Sequence, residues 1–201
     1  MNLTYVTGNY GKFVSVKEKF EKAGLEIKYE NIDIDELDIN DIEIISKNKA
    51  YSAYQKINNP VFVMDCGFYI KNYPNNPNYP GAFVKRSGIS SDTGKLLEVM
   101  KDIDDRDCYF LTCLTYYDGN NYYTFYGKSE GSLSYEERGN KLKKAMSNLW
   151  LVFIPKNHDK TLAEMTDYER DHRKDGRTNA TDEFIKWYKE NIIGYEKKIV
   201  F

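Results

Sequence analysis

Apolar residues recur along the chain with two different periods, and the switches between them outline a layered protein. Leu3 to Val6 is a short apolar strand running into the polar turn Thr7-Gly8-Asn9-Tyr10-Gly11-Lys12. Phe13, Val16, Phe20 and Ala23 then share one face of a helix that Gly24 is placed to stop. Leu25 to Ile34 alternates as a second strand, and Ile42, Ile45, Ala50, Ala53, Tyr54 and Ile57 make Asp41 to Ile57 an amphipathic helix. Asn58-Asn59-Pro60 breaks it, and Val61 to Met64 predicts a buried strand ending at Asp65. Strand, helix, strand, helix, strand is the order of an α/β layer.

The pattern then loosens. Asn72 to Gly81 is rich in proline and asparagine and reads as a loop, followed by a short helix around Lys95 to Met100. Tyr109 to Tyr117 and Tyr122 to Gly127 flank Asp118-Gly119-Asn120-Asn121, a strong hairpin signal. Leu149 to Ile154 predicts another strand, closed by Pro155. Helices are expected from Leu162 to about His172 and from Thr181 to Ile193, the latter with Thr181 as cap and Gly194 as stop.

With 201 residues, 41% of them hydrophobic, the chain can build a real core as one domain over residues 1–201, a single unit or two closely joined lobes. Lysine plus arginine (29) nearly balances aspartate plus glutamate (31), which argues against nucleic acid as the main partner. Cys66, Cys108 and Cys113 are odd in number and lack metal-type spacing, so they read as reduced thiols. No apolar run approaches the ~18 residues of a membrane span, and the first residues lack the features of a signal peptide. A cytoplasmic location away from membranes is the expectation.

Three segments carry candidate chemistry. Thr7-Gly8-Asn9 with Lys12 lies between a strand and a helix, where a glycine, free backbone N–H groups and a cation together suit a phosphate. An ordinary strand-to-helix turn is the plain alternative, and the segment is not a Walker P-loop. The acidic run Asp33, Asp35, Glu36, Asp38 and Asp41 offers carboxylates to a hard cation such as Mg²⁺, or simply caps the next helix. Asp65, at the carboxyl end of a buried strand, stands where α/β sheets gather their active sites, or is a polar strand terminator.

Together and in this order, these segments resemble the inosine triphosphate pyrophosphatase (Ham1-like) family. Thr7-Gly8-Asn9-x-x-Lys12 is similar to its TGNxxK opening, and Ile32-Asp33-Ile34-Asp35-Glu36-Leu37 to its IDxxEL segment. Lys49-Ala50 matches a lysine-alanine pair on the second helix. Val63-Met64-Asp65-Cys66-Gly67-Phe68 matches a strand turning through an aspartate and glycine. Pro80-Gly81-Ala82-Phe83-Val84-Lys85, Tyr126-Gly127, Arg138-Gly139, Phe153-Ile154-Pro155, Thr161 to Met165 and His172-Arg173 continue the family order, so the resemblance covers about residues 3 to 175.

The resemblance implies an elongated mixed α/β fold, a central sheet flanked by helices, with two lobes and an active-site cleft between them. It implies a homodimer that cleaves a purine nucleoside triphosphate into monophosphate and pyrophosphate with Mg²⁺ as cofactor. Glu36 and Asp65 would hold the metal, and Asp65 would also activate water. Lys12 and Lys49 would join Asp65 in catalysis, and Thr7, Gly8, Asn9, Lys12 and Lys49 would bind the triphosphate. His172 and Arg173 would face the base, with Arg170 roughly where a lysine is expected and Trp150 as a candidate stacking residue.

The base-reading half departs from the family pattern. Where an FGYDP-like segment is expected, the chain has Ser147-Asn148-Leu149-Trp150-Leu151. The stretch from Met165 to His172 is three residues shorter than usual, Asp171 replaces a serine, and Arg177 is a further cation that could substitute. The phosphate half is retained, so triphosphate cleavage with altered base choice leads. A catalytically silent nucleotide-binding module comes second, and a nucleic-acid binder stacking bases on its tyrosines third.

Overall fold

A computed structural model describes residues 3–142, 145 and 147–194. Seven strands form one sheet in the order β2-β1-β3-β5-β6-β7, with the short β4 added to β3. The strands are β1 (Leu3–Val6), β2 (Ile27–Glu30), β3 (Val61–Ile70), β4 (Tyr79–Gly81), β5 (Asp107–Tyr117), β6 (Tyr122–Leu133) and β7 (Phe153–Pro155). Helices are α1 (Tyr10–Lys22), α2 (Ile42–Ile57), α3 (Val84–Ser87), α4 (Thr93–Val99), α5 (Asp167–His172) and α6 (Ala180–Tyr188). β1 pairs in parallel with β2 and β3, whereas β4 on β3 and β7 on β6 are antiparallel. The fold is mixed α/β with a central sheet flanked by helices, as the strand–helix alternation predicts.

The chain divides into two compact units. Residues through Asp65, Thr112–Gly127 and those from Asn179 onward make the first; Cys66–Leu111 and Lys128–Thr178 make the second. In the first unit, Phe20, Phe62, Tyr5 and Phe184 are fully buried in an aromatic core, and Val6, Ala50, Ala53, Val61 and Val63 form a second cluster around α2. In the second unit Phe68, Ile70, Leu96, Met100, Leu149 and Phe153 pack as one core.

Local side chains explain the helix ends. Asn9 caps α1 by accepting from Lys12 N at 3.0 Å, and Asp41 caps α2 by accepting from Glu43 N and Ile44 N at 2.9 and 3.0 Å. Asn58, at φ 54, closes α2 in the left-handed conformation that asparagine tolerates. Asp118 organises the β5–β6 turn, accepting from Asn120 N and Asn121 N at 2.8 and 2.7 Å.

Several expectations need correction. β3 does not end at Asp65: Phe68 and Ile70 continue the period-two pattern to full burial, and the strand runs on through Gly67. A Cβ at Gly67 would meet the Tyr69 ring at 2.7 Å and the Gly81 carbonyl oxygen at 2.9 Å, so a glycine is what lets β4 approach. β2 is shorter than Leu25 to Ile34, and Leu149 to Ile154 divides into a 3₁₀ turn at Asn148–Leu151 and the strand β7. Ser147 caps that turn by accepting from Leu149 N at 2.9 Å, and a short apolar run is compatible with either shape. The loop from Asn72 to Gly81 ends in β4, and α3 follows it. The helix near Leu162 begins only at Asp167, where Thr166 and Glu169 form a capping box. The cap of α6 is Asn179, not Thr181, which is buried. After Tyr188 the helix widens into a π turn over Lys189–Ile193. None of the three cysteines forms a disulfide among the described residues, and no helix there is long and apolar enough to cross a membrane.

Candidate active site

The first unit gathers the candidate phosphate and metal residues. β1 delivers the chain into α1 through Thr7-Gly8-Asn9, where Thr7 Oγ1 accepts from Asn9 N at 3.2 Å and Asn9 Oδ1 caps the helix. Those contacts shape the turn. Gly8 lies exposed at its apex, Lys12 comes one helical turn in, and Lys12 lies close enough to Asp65 to pull on its proton affinity.

Lys49, on the third turn of α2, joins the two candidate metal ligands. Its Nζ lies 2.7 Å from Glu36 Oε1 and 2.5 Å from Asp65 Oδ1. Glu36 is in the loop after β2 with a side chain 48% exposed, whereas the Asp65 and Lys49 side chains are 15% and 19% exposed. The second oxygen, Asp65 Oδ2, is buried and has no hydrogen-bond partner among the described residues. Burial raises the pKa of Asp65 above the usual aspartate value, and the nearby Lys49 and Lys12 charges oppose this only in part. Burial pulls on Lys49 in the opposite sense, but Asp65 and Glu36 outweigh it, and the ammonium is held above the ordinary lysine value.

Other members of the acidic run have local roles. Asp41 is the α2 cap, and the backbone carbonyl of Asp33 accepts from Lys56 Nζ at 2.6 Å. Among the described residues no group of three or more His, Cys, Asp or Glu side chains is arranged to hold a metal. A site for Mg²⁺ does not demand one, because that ion takes one or two carboxylates and completes its shell with water and phosphate oxygens. Glu36 and Asp65, already drawn together by an ammonium group, with one carboxylate oxygen still unpaired, fit that requirement.

The second unit carries the base-reading candidates. Trp150, on the 3₁₀ turn, is half-buried, with the Arg170 guanidinium 5.4 Å from its ring centroid. Arg170 itself is 7% exposed and donates to Leu162 O at 2.8 Å, to Met165 O and to the Asp167 carboxylate. The Arg170 side chain thus turns inward and ties α5 to the preceding turn. His172 is exposed, stacked on Tyr168 at 4.1 Å, with Nδ1 2.9 Å from Tyr168 O. Arg173 is held by Asp175, Ser129 Oγ and Arg170 O, and Arg177 by Arg170 O and Asp171 O.

Asp175 and Ser129 escaped the sequence reading. The only available signal was an aspartate two residues beyond the His172-Arg173 pair, because a β6 serine packing beside it has no pattern in the linear chain. The open polar hollows of the second unit are lined by Lys71, Asp107, Glu130 and His158 or by Asp105, Arg106, Ser134 and Arg138. They contain none of the expected site residues, and the chemistry above does not pass through them.

Comparison with known proteins identifies the family and the fold. A model of the Ham1 family matches residues 3–187. A dITP/XTP pyrophosphatase of Saccharolobus solfataricus is 31% identical over 183 residues, covering 90% of this chain and 91% of that protein. A dITP/XTP pyrophosphatase of Thermococcus kodakarensis is 29% identical over 192 residues, covering 96% and 100%. Among solved structures, the Staphylococcus aureus Ham1 protein superimposes with a TM-score of 0.76 at 18% identity, covering 94% of this chain and 99% of that one. A HAM1 protein from Coxiella burnetii gives the same score at 22% identity, covering 94% and 100%.

Proposed function

The chain belongs to the Ham1 family, and from that premise we propose that it hydrolyses a non-canonical purine nucleoside triphosphate to the monophosphate and pyrophosphate, removing it from the nucleotide pool. Relatives similar over nearly the whole chain are dITP/XTP pyrophosphatases. The observation that carries the reading is the Lys49 bridge between Glu36 and Asp65, with Asp65 Oδ2 left unpaired.

Each residue has a part to which its surroundings suit it. Asp65 Oδ2 is the acceptor for a proton from the attacking water, and burial strengthens it as a base. The water attacks the α-phosphorus, the bond from that phosphorus to the α–β bridging oxygen breaks, and pyrophosphate leaves with the electron pair. Lys12 and Lys49 stabilise the charge on the phosphate oxygens, and the exposed Gly8 lets the backbone of the Thr7–Asn9 turn come close to them. Lys12 and Lys49 against Glu36 and Asp65 leave the group neutral, so a triphosphate needs a further cation. Glu36 and Asp65 would hold Mg²⁺, which when bound neutralises phosphate charge and favours departure of pyrophosphate. His172 and Arg173 supply polar contacts to the base, beside Trp150. The assembly is a cytoplasmic homodimer, a point that light scattering on purified protein checks.

The test is product analysis with a panel of ribo- and deoxynucleoside triphosphates, scoring pyrophosphate against free phosphate. Pyrophosphate from inosine- or xanthosine-type substrates is expected, with Asp65→Asn slowing turnover by about 10²–10⁴-fold. Binding of triphosphate without any pyrophosphate from the wild type would refute the proposal.

A further inference from the structure

The second unit contains a carboxylate that the mechanism above does not use. Asp175 is 4% exposed and lies in the turn that follows α5. Its Oδ2 accepts from Arg173 Nε at 2.6 Å and from Ser129 Oγ at 3.4 Å, and its Oδ1 accepts from Arg177 N at 3.2 Å. A carboxylate leaves water only where donors and charge replace its hydration, so this turn is organised around it.

The same contacts fix the neighbouring arginines in distinct ways. Gly176, at φ 72, folds the chain back so that Arg177 covers the end of α5, with Nη1 2.6 Å from Arg170 O and Nη2 2.7 Å from Asp171 O. Arg173 is anchored at three points: Nε on Asp175, Nη1 on Arg170 O at 2.9 Å, and Nη2 on Ser129 Oγ at 3.4 Å. Each terminal nitrogen of Arg173 carries a second N–H beyond those bonds. The plane of the guanidinium is set from its Nε side, the side chain is 12% exposed, and two N–H donors at the fork have no partner among the described residues.

We propose that Asp175 is a positioning residue for base selection, holding Arg173 so that its remaining donors meet an acceptor oxygen on C6 of a purine. A guanidinium has donors and no acceptor, so it pairs with a 6-oxo group and leaves a 6-amino group unmatched. Discrimination of this kind depends on orientation, because a freely turning arginine adapts to either base. The inference rests on the pyrophosphohydrolase reading and deepens it, assigning selectivity to a residue that touches Arg173 and not the base.

The experiment measures kcat and KM for dITP and dATP with wild type, Asp175→Asn, Arg173→Met and the double variant, together with Tm for each. Asp175→Asn is expected to raise KM for dITP and reduce the dITP-to-dATP preference in kcat/KM by roughly 10- to 100-fold, with kcat changing far less. Arg173→Met should lose the same preference, and the double variant should lose no more than Arg173→Met alone. A preference unchanged in Asp175→Asn, whether kcat/KM holds or falls equally for both substrates alongside Tm, overturns the proposal and leaves a purely structural carboxylate. If Asp175→Asn does not fold, Ser129→Ala decides: a partial loss of preference supports the proposal, and an unchanged one overturns it. Wild-type protein that makes no pyrophosphate from either substrate refutes the functional reading itself, and the proposal with it.

Discussion

At the scale of single residues, the candidate site sets opposite charges at unequal burial. Lys49 holds two carboxylates, one half-exposed and one largely buried, and removing it takes away the ammonium group that lies between Glu36 and Asp65. Lys49→Met is expected to lower kcat/KM by ~10²-fold or more, read from initial rates of pyrophosphate release. Burial also separates the three thiols. Desolvation pushes Cys113 up to about 11 and Cys108 upward as well, while Cys66 is exposed. Because the thiolate is the reactive form, a chromogenic disulfide at pH 8 should label Cys66 alone in native protein and all three cysteines after denaturation. That Lys12, Glu36, Lys49 and Asp65 fall close together was legible in the sequence, because charged types stand at recognisable steps from the strand ends. The inward turn of Arg170 was not legible, because a buried arginine and an exposed one share the same letter, and the carbonyls of Leu162 and Met165 that hold it are brought near by folding.

At the scale of elements, helix ends were more legible than strands. Asp41 and Asn58 bound α2 by their own side-chain and backbone preferences, which are local and therefore visible in the linear chain. Asp41→Ala is expected to cost about 1 kcal/mol of stability in urea unfolding while leaving turnover intact, since its carboxylate faces Glu43 N and Ile44 N. The 3₁₀ turn at Asn148–Leu151 and the continuation of β3 beyond Asp65 were not legible. Both depend on partners distant in sequence: the Ser90 carbonyl that accepts from Asn148 N at 3.1 Å, and the Gly81–Phe68 register with β4. Thr181 was a plausible cap by composition, but Asn179 reaches the free N–H groups of Thr181 and Asp182 first.

At the scale of the whole molecule, the aromatic core of the first unit joins segments from both halves of the chain. Phe184 on α6 packs against Phe20, Phe62, Tyr116 and Phe125 with ring centroids 5.3 to 6.0 Å apart. Phe184→Ala is expected to destabilise the protein by ~3–5 kcal/mol, measured by the shift in the denaturation midpoint, because a fully buried ring leaves a large cavity. The division of the chain also sets an order in time. A ribosome releases Cys66–Leu111 and Lys128–Thr178 before the residues from Asn179 onward, so every part of the second unit has been synthesised while the first still lacks α6. The nascent chain thus delivers the start of the first unit early, yet that unit's aromatic core stays incomplete until α6 is made, and Phe20 and Phe62 wait for Phe184.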